Sequence, residues 1–193
     1  GIIDSSDLPL NVSREILQQN RVMAKIRSNS VKKILDKLKT VSTKKEKYAE
    51  FFEQYGRLIK EGVYQDFEHK ESLTELLRFK STKEDGLTSL REYVGRMRED
   101  QKSIYYITGQ NEISLKNSPL LEIYKQKDIE VLILDDEIDE IIITSVPKYD
   151  EKDLKSVKRS GAAEDFSENK DADNGKELSS VVKKLKKVLG DNV

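Results

Sequence analysis

Residues 103–134, SIYYITGQNEISLKNSPLLEIYKQKDIEVLIL, hold the fold in outline. Ser103 to Thr108 is rich in β-branched and aromatic side chains and stops at Gly109, which predicts a strand. Ser118-Pro119 then opens a helix expected to reach about Lys127, with proline at the first helical position, where its missing amide costs nothing. Glu130 to Leu134 reads as the next strand. Strand, helix and strand within about 30 residues make a βαβ unit with a parallel strand pair. Beyond it, Glu137 to Ile143 is expected as a short helix and Leu154 to Val157 as a further strand.

The chain before this unit is helical in texture. From Ser13 to about Val41, Ile16, Leu17, Met23, Ile26, Ile34, Leu35 and Leu38 recur mostly at three- and four-residue spacings, with a break expected near Ser28-Asn29-Ser30. Thr43-Lys-Lys-Glu46 matches a capping box, so a second helix is expected after it, with Tyr48, Phe51, Phe52, Tyr55, Leu58 and Ile59 as its apolar face and Gly62 as its stop. A third helix is expected over about Glu68 to Phe79. A fourth starts near Ser89, where Leu90, Tyr93, Val94 and Met97 follow helical spacing. After the α/β unit, GAAEDFSENKDADNG (161–175) is acidic, small-residue-rich and aperiodic, and reads as a linker. Leu178, Val181, Val182, Leu185, Val188 and Leu189 then mark one more amphipathic helix. The fold class is therefore α/β: a helical connector of three to four helices, a small α-β-α module, a linker and one amphipathic helix.

Composition bounds the function. The 193 residues are 37% charged and 36% hydrophobic, so a sizeable core sits beneath a highly charged surface. A net charge of −1 gives no global pull toward nucleic acid or membrane. The absence of cysteine rules out a disulfide framework and thiolate metal sites. There is no signal-peptide pattern and no apolar run near the ~20 residues of a membrane span, which fits a reducing cytoplasm. The chain starts at Gly1 without Met and reads as a piece of a longer polypeptide.

At the other end of the chain, residues 4–20 read DSSDLPLNVSREILQQN. Ser13 is a good N-cap, whereas Arg14 directly after it stands at the positive end of a helix dipole, a poor place for a cation. A locally broken rule of this kind points to a function, and a polyanion is the natural partner of such an arginine.

This stretch resembles the catalytic loop in the middle domain of the heat-shock protein 90 chaperones, nearest the bacterial HtpG branch. The likeness continues in order through LLRF (76–79), Ser81-Thr82, LTSL (87–90), YV-x-RM (93–97), IYYITG (104–109), Ser118-Pro119, EVL (130–132) and Ile138-Asp139-Glu140. It covers Gly1 to about Lys158. The resemblance implies that residues 1–98 hold the catalytic loop and helical part of the middle domain, and that 99–159 form its small α/β subdomain. It makes 160–175 an acidic linker and 176–193 the first helix of the C-terminal dimerisation domain.

The same resemblance implies a set of roles. Arg14 would reach the γ-phosphate of ATP held by a preceding N-terminal ATPase domain, acting as an arginine finger does. Gln18, one helical turn on, would orient that arginine, the phosphate or a water. Asn11 and Ser13 are expected to shape and cap the loop, and Glu15 to serve the dipole. ATP and Mg²⁺ would belong to the parent protein, because the chain has neither GxxxxGK[ST] nor GxGxxG. Hydrolysis by this chain alone is not expected. Partners would be the N-terminal ATPase domain, unfolded or partly folded clients, and a second copy through the missing C-terminal domain. Glu140 and Ile141 fall where the family contacts clients, although bacterial relatives often carry an aromatic where Ile141 stands.

Other readings of the residues stay open. His69, the only histidine, lies among Glu68, Lys70 and Glu71 and is expected to be solvated. Asp135, Asp136, Glu137, Asp139 and Glu140 are a conceivable Mg²⁺ site, although an acidic helix N-terminus is the expectation. Arg14 to Lys47 holds eleven Lys/Arg against three Asp/Glu, which would suit nucleic acid or the docking of an acidic domain or client. The alternatives to a chaperone ATPase are thus a non-catalytic interaction or scaffold module and, less favoured, a nucleic-acid-binding domain using residues 14–47.

Overall fold

The structure is a computed structural model that describes residues 21–159. It begins with a helical hairpin, α1 (Arg21–Ser42) and α2 (Lys45–Gln65). The break expected at Ser28–Ser30 is absent and α1 runs through it, since serine and asparagine cost a helix interior only a few tenths of a kcal/mol each. The expected capping box at Thr43 does not form either. Lys44 is the N-cap of α2, and the Thr43 hydroxyl donates back to the carbonyl of Thr40 at 2.9 Å, so it serves the end of α1.

Tyr48, Phe52, Gly56, Ile59 and Val63 form the buried stripe of α2, with Phe51 packed at its edge. Tyr55 and Leu58, expected on that face, are 47% and 63% exposed. Gly62 does not stop the helix. It lies inside, where a Cβ would come within 3.1 Å of a Leu73 methyl, so packing explains the glycine. The helix ends at Asp66, whose amide donates to the Gly62 carbonyl at 2.8 Å. Asp66 also holds the His69 ring at 2.9 Å, so that histidine is tethered rather than freely solvated.

The third helix, α3 (Lys70–Thr74), is shorter than expected because Phe79 leaves it to form an antiparallel bridge with Thr88. Strand β1 (Lys80–Ser81) follows directly. Helix α4 (Leu90–Gly95) starts as Ser89-x-x-Glu92 dictates, the serine hydroxyl and the glutamate closing a complete capping box. Strand β2 (Ser103–Thr108) has the expected bounds. A helix that the sequence reading missed, α5 (Glu112–Lys116), is capped by Asn111, and a 3-10 turn (Pro119–Leu121) leads into α6 (Glu122–Gln126). Strand β3 (Val131–Leu134), α7 (Glu137–Ser145), β4 (Lys148–Tyr149) and β5 (Lys152–Ser156) complete the described chain.

The sheet order is β1-β3-β2-β5-β4. Central β2 runs parallel to β3, with Tyr106 opposite Leu132, and parallel to β5, with Ile104 opposite Leu154. The short edge strands β1 and β4 are antiparallel to their neighbours. Both faces of the sheet are covered, so β2 and β3 read as continuous apolar runs rather than as alternation. Ile104, Tyr106, Leu132 and Leu134 pack with α2, α4 and α7, while Tyr105, Ile107, Val131 and Ile133 pack with Leu115, Leu121 and Tyr124. The result is α-β-α in three layers. Helices read from the sequence as a connector join α7 in one layer of that sandwich.

Candidate functional site

Helix α7 is built to offer one face and bury the other. Asp136 caps it by accepting from the Ile138 amide at 3.3 Å, and Asp139 returns the favour to the Asp136 amide at 3.4 Å. Ile138, Ile142 and Ile143 face the core, whereas Glu137, Glu140, Ile141 and Thr144 face outward. Ile141 is 47% exposed, an isolated isoleucine amid acidic and hydroxyl groups.

A buried ion pair pins this helix to α2. Lys60 Nζ lies 2.7 Å from Asp139 Oδ1 and 3.5 Å from Asp136, and the side chains of Lys60 and Asp139 are 9% and 3% exposed. Burial pushes the Asp139 carboxyl above its ordinary value, opposed by the neighbouring ammonium. Lys60 also sits 5.9 Å from the centre of the Phe79 ring. Sequence reading missed Lys60; the signal was a lysine wedged between the core residues Ile59 and Val63. The acidic run therefore behaves as a capped helix start. Asp135 pairs with Lys80 at 2.6 Å and Asp139 with Lys60, and this division of partners is a poor fit to a Mg²⁺ cage.

The motifs that singled out the chain meet at one junction. The Tyr93 hydroxyl donates to the Glu130 carbonyl at 2.6 Å, and accepts from the Tyr105 amide at 3.0 Å and from Gln101 Nε2 at 3.1 Å. Arg96 grips the Glu130 carboxylate with two donors at 2.9 and 2.7 Å and reaches the Thr88 hydroxyl at 2.7 Å. YV-x-RM, EVL, IYYITG and LTSL are thus tied together, α4 being bolted to the ends of β2 and β3. Gly109 belongs to the same logic, because a Cβ there would meet a Leu115 methyl at 2.8 Å. These residues hold the fold.

Arg14 and Gln18 precede residue 21 and lie outside the described residues, as do Asn11, Ser13 and Glu15. The 161–175 segment and the helix expected from Leu178 to Leu189 lie outside them too. Of the sequence-named site residues, the structure places Glu140 and Ile141 side by side on α7.

A family model described as "Hsp90 protein" matches residues 1–193. The chain belongs to the Hsp90 family. Among its relatives, the chaperone protein HtpG of Treponema denticola is 52% identical over 202 residues, covering 100% of this chain and 32% of the relative. The chaperone protein HtpG of Borreliella burgdorferi is 48% identical over 194 residues, again across 100% of this chain and 32% of the relative. The chain thus spans about a third of the length of these curated relatives. Among solved structures, the middle domain of a Plasmodium falciparum heat shock protein superposes with a TM-score of 0.67 at 33% identity, covering 74% of this chain and 61% of that one. As an Hsp90-family chain it shares the mixed helix-and-sheet architecture of that middle domain. Among the described residues no helix is long and apolar enough to cross a membrane.

Proposed function

We propose that this chain is part of an ATP-dependent, HtpG-type chaperone and supplies the arginine that completes the ATPase site. Arg14 contacts the γ-phosphate of ATP held by an N-terminal domain, and Gln18 orients the arginine or the attacking water. The observation that carries this reading is the match of this whole chain, at about half identity, to about a third of each HtpG chaperone. The α7 N-terminus is already filled by Asp136 and Asp139 and bears Glu137 and Glu140, an environment hostile to a phosphate.

A planar, always-charged guanidinium neutralises the oxygens of the transferring phosphoryl group, so closing one domain onto the other gates hydrolysis. The parent protein works as a cytoplasmic homodimer on unfolded or partly folded clients, and the outward face of α7, with Glu140 and Ile141, contributes to the client surface. Steady-state ATP hydrolysis by the complete protein tests this reading. Arg14→Ala is expected to lower kcat at least about tenfold with KM near wild type, the signature of an interaction made only in the transition state. An unchanged kcat would leave the chain a non-catalytic interaction module.

A further inference from the structure

Between the C-terminal half of α1, α3, the end of α7 and β4 lies an open cavity of about 630 Å³. Lys39, Lys70, Arg91 and Lys148 all line it. Two of these cations are already matched. Arg91 bonds Glu75 at 2.6 Å, where the Tyr149 hydroxyl also donates at 2.6 Å, and Lys148 pairs with Asp153 at 3.3 Å.

The other two are not. Lys39 Nζ donates to the Ser72 hydroxyl at 3.3 Å and Lys70 Nζ donates to the Ser145 carbonyl, both neutral oxygens. Among the described residues neither ammonium has a carboxylate within ion-pair distance. An ammonium carries three donors, so Lys39, which is exposed, and Lys70, which is half-buried, each keep donors that a ligand oxygen can take over from solvent. The two carboxylates that remain at the mouth, Glu71 and Asp150, are exposed, as Lys39 is, and neither lies within ion-pair distance of Lys39 or Lys70.

The approach to the cavity is cationic as well. Lys25, Lys32 and Lys39 recur every seven residues along α1, a spacing that stacks them on one side of a helix. Besides its charges the cavity has an apolar wall, Val146 and Pro147.

We propose that this cavity binds an acidic peptide segment. One aspartate or glutamate carboxylate bridges the ammonium groups of Lys39 and Lys70, and an adjacent apolar side chain lies on Val146 and Pro147. Charge-assisted N–H···O bonds give the site its selectivity, and the lysine column on α1 steers the approach. The proposal goes beyond the ATPase reading and needs no nucleotide.

Fluorescence anisotropy on the whole 193-residue chain, without ATP, tests it. The probe is a short fluorescein-labelled peptide of alternating glutamate and leucine, compared with its glutamine counterpart, with inorganic phosphate and with oligothymidylate. Lys39→Gln together with Lys70→Gln is expected to weaken peptide binding about tenfold, as loss of charged hydrogen bonds should. The same charge change on the outward side of α1, Lys33→Gln with Lys37→Gln, should cost no more than about twofold, the cost of screened surface charge. Because Lys70 also ties α3 to the end of α7, Lys39→Gln alone and Lys70→Arg are run beside the double variant. The first should weaken binding and the second should keep it, with both proteins folded by circular dichroism.

Equal losses from both double variants would overturn the site in favour of a diffuse positive field. Equal binding of the glutamine peptide would overturn it too. So would oligothymidylate or phosphate binding as tightly as the peptide through the same lysines, since the site would then be a phosphate site.

Discussion

Tyr93 buries a hydroxyl that serves three partners on three segments: the Glu130 carbonyl, the Tyr105 amide and Gln101. Burial raises its pKa above the ordinary tyrosine value, which favours the neutral, donating hydroxyl. Tyr93→Phe leaves buried partners wanting and should cost roughly 2–4 kcal/mol in urea unfolding. Glu92 makes a complementary prediction about pH. Against the cost of burial, the Ser89 backbone amide and hydroxyl and the Lys45 ammonium hold its carboxylate down from 4.5 to about 2. A depressed acid stabilises the fold above its unfolded pKa, and that contribution is lost as pH falls through the folded value. Stability should therefore drop between about pH 4.5 and pH 2. Glu92→Gln should flatten that part of the curve, measured as urea midpoint against pH.

At the scale of elements, α7 depends on α2. Lys60→Met strips the buried Asp139 of its partner and should cost about 3–5 kcal/mol, whereas Lys60→Met with Asp139→Leu should recover part of that loss, because the leucine also forfeits the cap on the Asp136 amide. Ile141→Ser changes an exposed residue and should leave the unfolding free energy within about 0.5 kcal/mol of wild type. If α7 serves clients, the same change should weaken suppression of client aggregation by the complete protein, read by light scattering. Elements whose signal is local were legible in the sequence. Ser103–Thr108 announced β2 through composition, and the helical spacing of Leu90, Tyr93 and Val94 after Ser89 announced α4. Strand β1 was not legible, because a two-residue strand exists only through its pairing with β3. Gly62 was misread for the same reason: its meaning lies in Leu73, a contact no local pattern reports. Glu140 and Ile141 were named through the family resemblance and their exposure came from the structure, while the Lys60–Asp139 pair spans 79 positions and needed the fold.

At the scale of the whole molecule, the described residues place one sheet between two helical layers, and Tyr93, Arg96, Glu130 and Gly109, which belong to the family resemblance, sit where those layers join. Tyr93, Arg96, Glu130 and Gly109 secure the sandwich, while the proposed function puts Arg14 on a loop that meets another domain. Fold and catalysis are thereby assigned to different parts of one signature. The distinction is measurable, since a fold residue changes stability and a phosphate ligand changes only chemistry. The decisive measurement is single-turnover hydrolysis of pre-bound ATP by the complete protein, wild type against Arg14→Lys and Arg14→Ala. If Arg14 is the γ-phosphate ligand, the chemical step slows at least about tenfold in Arg14→Ala and by a lesser factor in Arg14→Lys, with ATP affinity and unfolding midpoint unchanged. A chemical step as fast in Arg14→Ala as in wild type would contradict that role.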